Sequence, residues 1–113
     1  MNELYEIAFS LILSAGNSKS NSMLAIKAAR EFRFEEAEEL LGKAQNDLTE
    51  AHQIQTNMIQ DEARGETHAV NLIMVHAQDH LSMALMTLEN GKEMMYLYKM
   101  IDEIKTKGRM YHE

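Results

Sequence analysis

The chain has 113 residues, a net charge of −7, 10 methionines, 5 glycines and neither proline nor cysteine. Zero cysteine excludes a disulfide scaffold, a thiolate metal site and a cysteine nucleophile, and an acidic balance without a basic cluster argues against nucleic acid as a partner. The length sets one domain, and plentiful Ala, Leu, Glu and Lys with 6% aromatics favours an all-α fold.

In chain order, the first helix is predicted over 3–31. Its apolar patch at 7–13 follows Glu3 and Glu6, where a secretion signal would carry positive charge. No apolar run in the chain reaches the roughly 18 residues of a membrane span, so the protein is expected in the cytoplasm without direct membrane insertion. Gly16-Asn17 weakens this helix and is a place for a kink, at about 1 kcal/mol relative to alanine. The pattern changes phase at Glu31-Phe32-Arg33-Phe34, and a second helix follows over 34–63. It repeats three-and-four through Phe34, Ala37, Leu41, Ala44, Leu48, Ala51, Gln55 and Met58, a heptad seam with one polar knob at Gln55; Leu40 and Ile54 widen it. Glu35, Glu36, Glu38 and Glu39 suit the exposed, positive start of that helix. His52 reads as a structural histidine.

Ala63-Arg64-Gly65-Glu66-Thr67 marks the second break, with Gly65 a C-terminal cap and Thr67 the start of a third helix over 67–105. The domain is thus residues 1–105, and 106–113 form a polar tail expected to fray. The third helix carries two apolar seams. One is Val70, Met74, Ala77, Leu81, Ala84, Leu88, Gly91, Met95 and Tyr98; the other is Ile73, His76, His80, Met83, Thr87, Met94, Leu97, Ile101 and Ile104. A three-helix monomer needs one stripe per helix, so the surplus stripe predicts self-association.

Val75-His76-Ala77-Gln78-Asp79-His80 puts two imidazoles and a carboxylate on that surplus stripe. At 100° per residue His80 lies about 40° from His76, and Asp79 about 60° to its other side. Titratable groups among Leu72, Ile73, Val75, Met83 and Met86 are costly unless paired. His-x3-His can chelate a metal, but Ala77 stands where a zinc protease needs its glutamate; the alternative is a pair of satisfied interface histidines. Asp79 either meets identical carboxylates at a symmetry axis, around a shared cation or protons, or pairs with a nearby histidine. His68 and His112 are expected to face solvent, and the methionines to fill the core. No glycine-rich phosphate loop occurs.

The segment Val75-His76-Ala77-Gln78-Asp79-His80-Leu81 resembles the signature of the lactose/cellobiose-type IIA component of the bacterial sugar phosphotransferase system. Ala15-Gly16-Asn17-Ser18-Lys19-Ser20, Ala51-His52-Gln53-Ile54-Gln55-Thr56 and Ile59-Gln60-Asp61-Glu62-Ala63-Arg64-Gly65 fit the same family, and the resemblance covers residues 3–105. It implies antiparallel three-helix subunits forming a trimeric nine-helix bundle. It implies His76 as the Nε2 phosphoryl carrier, loaded by the general phosphocarrier protein and discharged to a cysteine of the IIB component during sugar uptake. Asp79 matches the position where three subunits share one divalent cation, magnesium; His80 and Gln78 become supporting donors to the phosphoryl group. Helical geometry supports His80 and disfavours Gln78, which points about 160° away from His76 on its own helix and is left to serve a neighbouring subunit's site. Ala77 leans toward the cellobiose or chitobiose branch, the lactose branch usually having glycine there. The competing readings are a helical metal-binding scaffold without chemistry and a regulatory relative that signals by its phosphorylation state.

Overall fold

The computed structural model describes residues 3–112, with side chains described over 3–108, and those residues form three helices and no strand. They are α1 (Glu3–Arg30), α2 (Phe34–Ala63) and α3 (Leu72–His112). The pairs Gln55–Gln78, Gln45–Lys92 and Glu38–Lys99 step in opposite directions along α2 and α3, so these helices are antiparallel. A short reversal makes α1 antiparallel to α2 as well, which leaves α1 and α3 parallel.

Both connections end in the same hydrogen-bond pattern. After α1, the Phe32 N–H donates to the Ala29 carbonyl and the Arg33 N–H to Ala28. After α2, Gly65 N–H donates to Glu62 and Glu66 N–H to Asp61. These are paired Schellman closures, which need a left-handed residue at the first position past the cap. Gly65 meets that need at φ +88°, as the sequence predicts; Phe32 adopts φ +62° despite its side chain. Its ring lies 5.9 Å from Phe34, and Lys105 from α3 stacks over it at 4.9 Å. Those contacts offset a conformation that costs about 1–2 kcal/mol for a residue with a Cβ. Arg33 opens α2 by ion pairs to Glu31 and Glu36. Its hydrogen bond and charge hold the Glu31 carboxyl below the usual carboxylate range. The pair therefore contributes at neutral pH and is lost as pH falls through that lowered value.

Helix α3 differs from its predicted bounds at both ends. It begins at Leu72, not at 67, because Asn71 caps it: the Asn71 side-chain oxygen accepts the Met74 N–H at 3.1 Å. Thr67 lies in the extended connection, and Val70, assigned to the first seam, is 85% exposed there. At the other end α3 continues to His112, past 105. Its 41 residues span about 60 Å, against about 42 Å for α1. Helix α1 is unbroken through Gly16-Asn17.

The core is a column of small and medium side chains. Ala8, Leu11 and Ala15 of α1 meet Leu41, Ala44, Leu48 and Ala51 of α2 and Met74, Ala77, Leu81, Ala84 and Leu88 of α3. This is the predicted α2 seam packed against the first α3 seam, with α1 making the largest contact to each. Alanine at so many core positions lets the axes approach closely. A hydroxyl ladder on α1 reinforces the contact. The buried Ser18 hydroxyl donates to the Ala44 carbonyl at 2.8 Å, whereas the buried Ser22 hydroxyl has no partner among the described residues. Removing a satisfied hydroxyl and an orphaned one should have opposite effects. Ser18→Ala is expected to lower the free energy of unfolding by about 1 kcal/mol, and Ser22→Ala to leave it unchanged or raise it by up to about 1 kcal/mol. Urea unfolding of the two variants checks this.

Candidate functional site

Helices α1 and α2 bury the first seam of α3 and half-bury Ile73, His80, Met83 and Thr87 of the second, so the rest of that seam and part of α1 are left exposed. Leu97, Ile101 and Ile104 of α3 and Phe9, Leu13 and Leu24 of α1 are all exposed, Leu13 at 65% and Ile104 at 66%. The expectation of methionine as core filler holds in part: Met74 is buried and Met58 and Met95 pack against the core, whereas Met23, Met86, Met94 and Met100 are exposed. A pliable thioether suits a contact surface as well as it suits an interior.

His76 and His80 stand one helical turn apart on this face, the first exposed and the second half-buried. Their rings meet edge-on at 89° with centroids 4.5 Å apart, and the two Nε2 atoms are 3.1 Å apart. One ring must donate and the other accept, so the contact exists for two neutral rings in opposite tautomers or for one imidazolium with one neutral ring. Donation from His80 leaves His76 with its proton on Nδ1 and a directed lone pair on Nε2.

Asp79 is exposed on the same face, beside Leu72, Val75 and Met86. Among the described residues its carboxylate has no hydrogen-bond or ion-pair partner, and no three His, Asp or Glu side chains converge to hold a metal. The pairing of Asp79 with a histidine of its own chain, one of the two readings open from the sequence, is thus absent. One subunit offers a cation a single carboxylate.

Gln78 lies elsewhere. Half-buried on the α2 side of α3, its Oε1 accepts from Gln55 Nε2 at 2.7 Å and its Nε2 approaches the Met74 sulfur at 3.7 Å. The polar knob of the α2 seam is therefore there to meet Gln78, and within the subunit Gln78 does not join the histidine pair. Ala77 is fully buried in the core. His68, expected in solvent, is instead half-buried against Asp61 at 3.0 Å; the side chain of His112 lies outside the described residues.

Two open depressions flank the histidines. One, of about 560 Å³, is bounded by Tyr5, Asn71, Leu72, Ile73 and His76. The other, of about 740 Å³, runs along α1 past Lys19, Ser20, Met23, Lys27 and Arg30 and ends at His80. Reading the α3 motif alone misses these α1 residues. Their signal is a charge asymmetry: from 7 to 30 the chain has Lys19, Lys27 and Arg30 and no acidic residue, in a protein of net charge −7.

Comparison with known proteins gives a consistent result. Residues 6–99 match the family model described as PTS system, Lactose/Cellobiose specific IIA subunit. The lichenan-specific phosphotransferase enzyme IIA component of Bacillus subtilis is 44% identical over 101 residues, 89% of this chain and 92% of that one. Among solved structures, the PTS cellobiose-specific enzyme IIA from Bacillus anthracis superposes with a TM-score of 0.89 at 40% identity, covering 91% of this chain and 94% of that one. The IIA(Chitobiose)-HPr complex of the N,N'-diacetylchitobiose system gives 0.79 at 29% identity, over 90% and 99% of the two chains.

Proposed function

This chain belongs to the lactose/cellobiose-specific IIA family of the phosphotransferase system, and we propose that within that system His76 is the residue that carries the phosphoryl group. As a IIA component the protein is a phosphotransferase of sugar phosphotransfer. Two observations together support the assignment to His76: it is exposed where His80 is half-buried, and the contact between their Nε2 atoms directs a lone pair on His76 Nε2 when His80 is the donor. A neutral imidazole held with its lone pair on Nε2 is a ready nucleophile, and the depression beside His76 that Tyr5, Asn71, Leu72 and Ile73 bound is the proposed approach for a partner protein.

The proposed donor is the phosphohistidine of the general phosphocarrier protein, a reading supported by the relative solved in complex with HPr. The donor N–P bond breaks as a bond from phosphorus to His76 Nε2 forms. The donor imidazole keeps the electron pair of the broken bond and leaves neutral when its other nitrogen bears a proton. His76 keeps its Nδ1 proton throughout. With its Nε2 occupied, His76 no longer accepts from His80, whose N–H then serves a phosphoryl oxygen. A cysteine thiolate of the IIB component next attacks phosphorus, and His76 recovers its lone pair. Such transfers between two nucleophiles in line depend mainly on positioning and on charge neutralisation. The sugar is proposed to be a β-disaccharide of the cellobiose/chitobiose or lactose class, and the site of action the cytoplasm. Among the described residues no helix is long and apolar enough to cross a membrane.

The open face is proposed to close in a homotrimer of nine helices. Asp79, an unpartnered hard-oxygen donor in an apolar surround, fits a divalent cation shared by three subunits, with magnesium the proposed ion. The three carboxylates would hold it, and its positive charge would offset their mutual repulsion. Gln78 is turned away from His76 of its own chain and bonded to Gln55, so service to a neighbouring subunit's phosphoryl group would require it to exchange that bond.

Incubation with phosphoenolpyruvate, the system's first enzyme and the general phosphocarrier should add one acid-labile phosphoryl group to the wild type and none to His76→Ala, read by intact mass. Failure of the wild type to gain mass from a competent donor mix would favour a non-catalytic metal-binding or regulatory oligomer instead. A separate outcome concerns Asp79. Chelation should loosen the wild-type assembly, whereas Asp79→Asn, lacking the converging charges, should have the same molar mass with and without chelator. Light scattering distinguishes the two, and an Asp79→Asn assembly that still responds to chelator would remove the shared-cation proposal.

A further inference from the structure

The motif Ala15-Gly16-Asn17-Ser18-Lys19-Ser20 has only partly been absorbed by the fold. Ser18 holds α1 to α2, but Lys19 is exposed and makes no ion pair among the described residues. Its position is specific. Lys19 borders the depression that ends at His80, and also a smaller one, about 300 Å³, that it shares with Ser82, Met83, Met86 and Thr87 of α3. It therefore stands on α1 directly alongside the turn of α3 that follows the histidine pair. Lys27 and Arg30 continue the same depression, about 12 and 17 Å further along α1 at 1.5 Å per residue. The charged and titratable side chains lining this groove are Lys19, Lys27, Arg30 and His80, and Glu31 lies close enough to Lys27 and Arg30 for their charges to help lower its carboxyl. On α3, Asp79 is the carboxylate beside the histidine pair, with Glu89 and Glu93 further along the helix.

A phosphoryl group on His76 brings close to two negative charges to a face whose own carboxylate repels them. It must project from Nε2, and Nε2 already points at His80. His80 in turn borders the cationic groove. Resting on the carrier role of His76, we propose that Lys19 binds the phosphoryl oxygens on that residue, and that the Lys19–Lys27–Arg30 groove is the anion-binding side of the site. Lys19 forms and breaks no bond. It neutralises the dianion while phosphorus is on His76, and Lys27 and Arg30 extend the positive potential along the approach.

The test is the phosphoryl-transfer equilibrium between the general phosphocarrier and the full-length chain, read as the phosphorylated fraction of each protein by intact mass at fixed total concentrations. Removing a cation close to a dianion should shift that equilibrium about tenfold away from the phosphorylated chain in Lys19→Gln. Lys19→Arg should restore it, and Lys43→Gln, which removes an exposed cation of α2 outside the groove, should leave it within about twofold of the wild type. Thermal unfolding of Lys19→Gln should match the wild type, since Lys19 is exposed. An equilibrium in Lys19→Gln equal to that of the wild type would overturn the assignment, and so would a shift that arginine does not rescue. A wild-type chain that takes no phosphoryl group from a competent donor would overturn the carrier role itself, and this assignment with it.

Discussion

Helix α3 presents apolar side chains on two faces, and α1 and α2 together bury one and only part of the other. The uncovered face includes Leu72, Val75, Met86, Leu97 and Ile104 of α3 with Phe9 and Leu13 of α1, each at least 47% exposed. Full burial of one such side chain is worth about 1.5–3 kcal/mol. A handful per subunit therefore amounts to about 10 kcal/mol or more, comparable with the cost of immobilising a partner. The subunit is complete as a three-helix fold and incomplete as a surface. The histidine pair and Asp79 lie on this open face, so the account of the chemistry depends on what closes it.

That placement also sets the electrostatics. On a closed apolar face, like charges are hard to tolerate, and both Asp79 and a phosphoryl group on His76 are negative. The two proposed remedies are distinct in space. A cation shared by Asp79 carboxylates acts at the meeting point of subunits, while Lys19 acts from α1 within one subunit. The His76–His80 contact links them, because with His80 as donor it directs the lone pair on His76 Nε2, the proposed point of phosphoryl attachment. Gln78 is fixed on the opposite side by Gln55, which keeps that side of α3 committed to α2.

Much of this was legible in the residues. The α2 seam and the first α3 seam alternate three-and-four so regularly that the buried set, Leu41, Ala44, Leu48, Ala51, Ala77, Leu81 and Leu88, follows from period alone. The surplus seam was legible for the same reason. The start of α3 was not, since Thr67 and Asn71 are both good caps and only the tertiary path selects the later one, with Glu66 drawn back onto Asp61. Phe32 in a left-handed conformation is invisible to a pattern that expects glycine there. The methionines misled because hydrophobicity says that a side chain avoids water and not which subunit shelters it. Lys19 was missed because its neighbours on α3 are more than 60 residues away in the sequence.

The central claim is that copies of this chain close the open face. Sedimentation equilibrium of the wild type beside Leu97→Glu tests it most directly, because Leu97 is 56% exposed in the single subunit and the charge need not disturb the three-helix fold. The wild type is expected at the mass of three chains and the variant at that of one, with equal helical content by circular dichroism. A wild type that remains a single chain at micromolar concentration with a divalent cation present would contradict it.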